Sequence, residues 1–109
     1  MYSDEWHKNG YRIEKRVSVF DAVYYRHAYD KEENIAGVII DYELADDFHY
    51  ELLAADWQTF CSRYLNGEDN AQAFKDFLME KGLESVQGIF AFERALKEAN
   101  ITYQKMAFY

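Results

Sequence analysis

Residues able to do acid–base, nucleophilic or metal chemistry are few in this chain and widely spaced. Its three histidines, His7, His27 and His49, stand in unlike contexts. A nucleophilic triad needs a serine or cysteine held beside one of them. The single cysteine, Cys61, falls on the apolar stripe of a predicted helix, where a thiol behaves as a small hydrophobe. The chain has no Gly-x-Ser-x-Gly elbow, Walker loop or dinucleotide fingerprint, and its five glycines are isolated. Asp46 and His49 are three residues apart and Asp47 and Glu51 four, which on a helix would gather carboxylates and an imidazole on one side. A second histidine at ligand spacing and an EF-hand pattern are both missing, and the helix dipole accounts for acids at a helix start. No catalytic residue, metal or cofactor is expected.

The densest chemical signal is carboxylate. Between Lys31 and Arg63 no basic residue occurs, while Glu32, Glu33, Asp41, Glu43, Asp46, Asp47, Glu51 and Asp56 do. Tyr42, Phe48, Tyr50 and Trp57 are interleaved with them. Spaced negative charge with flat rings between reproduces two properties of a nucleic acid. Such a surface would fit a protein that grips phosphates with Lys and Arg. Asp41, Glu43, Asp46, Asp47, Glu51 and Tyr50 are therefore the candidate partner-binding residues. The plainer alternative is a solvated face, or one neutralised by Lys8, Arg12, Lys15 and Arg16 folding over it.

Composition sets the frame for these residues. The 109 residues carry 20 acids against 12 bases, a formal charge of −8, with a pI near 4.8. That balance opposes direct contact with nucleic acid or an anionic membrane. One cysteine excludes an internal disulfide framework. No apolar run approaches ~18 residues and the N-terminal residues lack a signal peptide's apolar stretch, so a cytoplasmic product is expected. Ten Tyr, eight Phe, two Trp and no Pro fit an aromatic core built from regular elements and short turns. The length is that of one domain spanning 1–109.

The elements that must position the acids follow from periodicity. Alternation in YRIEKRVSVF (11–20), with Tyr11, Ile13, Val17 and Val19 on one side, predicts a half-exposed strand after the Asn9-Gly10 turn. VYYRHAYD (23–30) and IAGVIIDY (35–42) predict two more strands, with a turn at Asp21-Ala22 and a hairpin loop at 31–34. From Glu43 the period reads as helical: Leu53, Trp57, Phe60, Cys61 and Tyr64 share a face, and Asn66-Gly67 stops it. A second helix is capped by Asp69 or Asn70 and ended by Gly82. A third runs from Ser85 to Ala99 over Val86, Ile89, Phe92 and Leu96. Residues 101–109 return to strand character and should pair with the sheet. The expected fold is α+β: an antiparallel sheet of three N-terminal strands plus a C-terminal strand, with two to three helices packed on one face.

The function expected from these features is that of a small acidic inhibitor. It would bind a basic nucleic-acid-processing protein, an RNA-guided nuclease first among them, and occlude its DNA or RNA site. Phage anti-CRISPR and anti-restriction proteins are similar in size, charge and aromatic content, with no motif shared residue by residue. Two alternatives stand beside it. One is an immunity protein against a nuclease toxin. The other is a small-ligand domain or enzyme with an aromatic pocket of Tyr24, Tyr25 and Trp57 between sheet and helices.

Overall fold

In IAGVIIDY the residues Val38, Ile40 and Tyr42 alternate with Gly37, Ile39 and Asp41, and all six are buried. A strand of that kind has to be covered on both faces. The computed structural model, which describes residues 1–20, 22–43, 48–81 and 87–107, supplies both covers. Its elements in chain order are α1 (Tyr2–Lys8), β1 (Arg12–Ile13), β2 (Val17–Phe20), β3 (Val23–Tyr29), β4 (Ile35–Tyr42) and β5 (Phe48–Leu53). Then come α2 (Ala54–Tyr64), α3 (Ala71–Glu80), α4 (Gln87–Glu98) and β6 (Gln104–Ala107). Among the described residues the strands form one antiparallel sheet of six, in the order β1-β3-β4-β5-β6, with β2 also paired to β3.

The first face carries the larger core. Val23 and Tyr25 from β3, Val38, Ile40 and Tyr42 from β4, and Tyr50 and Leu52 from β5 pack under α2, α3 and α4. The helices answer with Trp57, Phe60, Phe74, Leu78, Phe92 and Leu96, all fully buried. Trp57 stacks on Phe60 at 5.2 Å, and Phe92 meets Phe60, Phe74 and Tyr50 edge-on at 5.3–5.4 Å. Edge-to-face geometry of this kind adds to the area term. Asn70 caps α3 by accepting from the Ala73 N–H at 2.7 Å, and Asn66, Gly67 and Asn100 adopt positive φ just past α2 and α4.

The second face is covered by α1. Trp6 packs on Ala28 and Ile39 in a smaller cluster joined by Tyr2, Tyr11 and Ile13. Gly37 makes room for the indole: a Cβ there would lie 2.4 Å from Trp6 Cζ2 and from the Leu52 carbonyl.

The α+β class, the antiparallel sheet and the pairing of the C-terminal strand agree with the sequence reading. Four details differ. YRIEKRVSVF makes two short strands rather than one, because Glu14 turns inward between them and its N–H donates to the His27 carbonyl at 3.0 Å. The polar start of the chain forms α1, so helices lie on both faces. Glu43 ends the β4 side, and Phe48–Leu53 is a strand, not the start of a helix. Phe48, Tyr50 and Leu52 face the large core with a period of two, and Leu53 is the exposed N-terminal flank of α2. The expected positions Asp21, Gly82, Ser85 and Val86 lie outside the described residues. Among the described residues no helix is long and apolar enough to cross a membrane.

Candidate functional site

Strand register collects the polar residues of the second face into two rows. One runs Arg26, Ile39, Glu51, Gln104 across β3, β4, β5 and β6; the next runs Tyr24, Asp41, His49, Met106. Residues opposite one another on neighbouring strands share a face, so Arg26, Asp41, His49 and Glu51 are brought together by pairing alone. The N-terminus of α1 then closes over one row. Ser3 donates to Glu51 through its N–H (2.8 Å) and its hydroxyl (2.5 Å), while the Tyr2 N–H donates to Gln104 Oε1 at 3.1 Å. His49 Nε2 adds a third contact to Glu51 at 3.0 Å. Burial opposes ionisation of Glu51, but the bonds from His49 and Ser3 outweigh it and hold the carboxyl below its ordinary range.

Asp41 is treated differently. It is wholly buried, with Arg26 Nη2 at 3.5 Å and Arg16 Nη1 at 4.0 Å, and neither oxygen accepts a hydrogen bond among the described residues. Burial pushes its carboxyl up, against the pull of Arg26, His49 and Arg16. The Arg26 Nε–H is buried and has no acceptor among the described residues. Arg16 lies over the Tyr24 ring at 4.3 Å and pairs with Glu43. Beside α1, Arg26 borders a cleft of about 320 Å³. Ile13 and Ile39 give it apolar walls, and Arg26, His49, Glu51, Ser3 and His7 give it polar ones.

A second polar cluster lies on the first face. His27 is sandwiched between two carboxylates, with Nδ1 2.7 Å from Glu14 and Nε2 3.1 Å from Asp69. Asp69 also accepts from the Tyr25 hydroxyl and from the Trp57 indole N–H, and Tyr29 donates to Glu14 at 3.2 Å. Burial lowers the His27 pKa, but the bonds to Asp69 and Glu14 prevail and raise it, so the two carboxylates favour the protonated ring between them. Each group is satisfied by another, and the cluster ties the segment before β2 and the loop before α3 to β3.

Several residues singled out from the sequence take other places. Asp41, Glu51 and Tyr50 are buried, not presented to a partner; Tyr50 donates to Glu93 at 2.6 Å beneath the helices. Glu43 is at the surface but paired with Arg16, and Asp46 and Asp47 lie outside the described residues. His49 and Glu51 lie on a strand and not a helix, and its alternation sets them side by side. Among the described residues no group of three or more His, Cys, Asp or Glu is placed to hold a metal ion. Tyr25 and Trp57 meet at 5.8 Å in packed core, with Tyr24 on the opposite face, so the three line no common pocket. Cys61 is buried under α2, and burial pushes its thiol up to about 12.

Ser3 and Arg26 escaped the sequence reading, and His7 was weighed there only as an isolated histidine. The signal for Arg26 lay in alternation: Arg26 falls on the Tyr24–Ala28 side of β3 and Asp41 on the Gly37–Ile39 side of β4. Opposite charges on two central strands are expected to pair when those strands are neighbours. Comparison with family models, curated protein sequences and solved structures returned no match.

Proposed function

We propose that this chain is a small-ligand-binding domain whose ligand occupies the cleft beside α1. The observation that carries this reading is the convergence of Arg26, His49, Ser3 and His7 with two isoleucines around about 320 Å³. That volume sits at the small end of ligand sites, which run from roughly 300 to 1,000 Å³. A few oriented polar groups on an apolar lining are what such sites use for specificity. Binding is favoured over turnover because the Ser3 hydroxyl donates to Glu51, whose carboxyl is held below its ordinary range and is therefore a weak base toward it. The Cys61 thiol is buried in the other layer.

A thermal-shift screen of small acids, amines and neutral compounds tests this reading. It should yield compounds that raise Tm for the wild type and lose their effect in His7→Trp, which sets an indole at the edge of the cleft. Hits that stabilise both proteins equally would place the binding site elsewhere.

The corner between α2 and α3 favours a second role, the occlusion of a basic nucleic-acid-binding protein such as an RNA-guided nuclease or a nuclease toxin. Glu68, Asp76 and Glu80 are exposed there around a shallow groove that includes Tyr64 and Phe77. Carboxylates beside rings therefore occur at this corner, whereas Asp41, Tyr50 and Glu51 are buried. The matching test is inhibition of a candidate nuclease by wild type and by the Glu68→Lys, Asp76→Lys, Glu80→Lys triple variant. Loss of inhibition by the folded variant would favour this role, because like charges across an interface cost several kcal/mol. Equal inhibition would remove it from this corner.

A further inference from the structure

Donor and acceptor capacity around the cleft is lopsided. Glu51 is the carboxylate that lines it, and that group already accepts from the Ser3 N–H, the Ser3 hydroxyl and His49. A carboxylate has about four acceptor positions, so little of Glu51 remains for a ligand. Arg26 is the opposite case. Its guanidinium carries five N–H donors, yet its ion pair with Asp41 is a single contact at 3.5 Å, longer than the ~2.7–3.2 Å of a formed N–H···O bond. Its buried Nε–H has no acceptor among the described residues. Asp41 stands beside Arg26 as a counter-charge without occupying its donors.

We infer that the ligand of this cleft bears an oxyanion, a carboxylate or a phosphate, taken by the Arg26 guanidinium, with its apolar part against Ile13 and Ile39. This inference rests on the cleft being a ligand site. A planar guanidinium fork matches two oxygens of an oxyanion and is answered there by opposite charge, which a neutral or cationic ligand does not bring. A cationic ligand would also sit beside Arg26 and find Glu51 already engaged. Asp41 opposes the bound anion at short range and so limits the affinity. Its replacement by the isosteric amide removes the opposing charge and leaves Arg26 in place.

The probes are butyrate, its cationic counterpart butylamine, and inorganic phosphate. Each is titrated into ¹⁵N-labelled protein while the amides of Ser3, Ile39 and His49 and the Arg26 Nε–H are followed. Butyrate or phosphate should shift these signals and butylamine should not; which oxyanion binds distinguishes an organic acid from a phosphate. Affinity should fall at least about tenfold in Arg26→Gln and rise about tenfold in Asp41→Asn, as expected for removing one charge-assisted contact or one nearby like charge. If Arg26→Gln does not fold, the Asp41→Asn arm decides alone. Butylamine shifting the same signals would overturn the oxyanion while leaving the cleft as a site. Unchanged affinity in Asp41→Asn would overturn the role of Arg26. Silence of every probe at these residues would overturn both.

Discussion

His27 holds its place by charge as much as by packing. When protonated, the ring can donate from both nitrogens, to Glu14 and to Asp69, and deprotonation leaves two carboxylates across a neutral ring. The raised His27 pKa makes its contribution to stability complete below 6.5, the value of the free ring, and lost as pH climbs through the folded value. Glu14 and Asp69 act in the other direction. Their lowered pKa values give stability that is present above 4.5 and 3.8 respectively, and lost as pH falls through the folded values. Asp41, whose pKa is raised, partly offsets that acid loss. Thermal melts across pH should therefore show greatest stability between about 4.5 and 6.5, with a decline on the alkaline side. In His27→Gln the alkaline decline should flatten. An unchanged alkaline limb in that variant would assign it to another group.

At the scale of elements, the outcome turned on which positions were charged. The strands 23–29 and 35–42 and the stripes of α2 and α3 could be read because aliphatic and aromatic residues recur there at the right period. Phe48–Leu53 could not, since His49 and Glu51 look like solvent-facing helix positions until a second cover is known to exist. That cover, α1, has only seven residues, too short for a periodic signal. Its anchor is Trp6 over Gly37, a contact between positions distant in sequence. Gly37→Ala should push the indole off Ile39 and destabilise the fold by about 1–3 kcal/mol, the usual range for overpacking. Trp6 fluorescence should shift to the red, read in a Trp57→Phe background to isolate that indole. A variant with unchanged stability and emission would mean that α1 does not need this notch.

For the molecule as a whole, the formal charge of −8 overstates the free negative surface. Asp41, Glu51 and Asp69 are withdrawn into the sheet or its loops, and Glu33, Glu43 and Glu93 face Arg12, Arg16 and Lys105. A chain-wide count cannot separate such acids from exposed ones, which is why Asp41 and Glu51 counted toward a docking surface. The two kinds separate on reversal. Glu51→Lys should unfold the second face, because it buries a cation against the Arg26 side and strips Ser3 and His49 of their acceptor. Reversal of Glu68, Asp76 and Glu80 should leave the circular dichroism spectrum and the melt nearly unchanged. A well-folded Glu51→Lys protein would show that α1 is not held through Ser3.

We propose the cleft beside α1, and not an acidic exterior, as the working surface. Chemical-shift mapping with two contrasting probes, butyrate and a lysine-rich peptide, tests it most directly. Butyrate should saturate, with its largest shifts at Ser3, Arg26, Ile39 and His49, and the peptide should leave those signals in place. If butyrate moves none of them while the peptide binds saturably at Glu68, Asp76 and Glu80, the cleft is only a seam between α1 and the sheet, and the acidic corner is the functional surface.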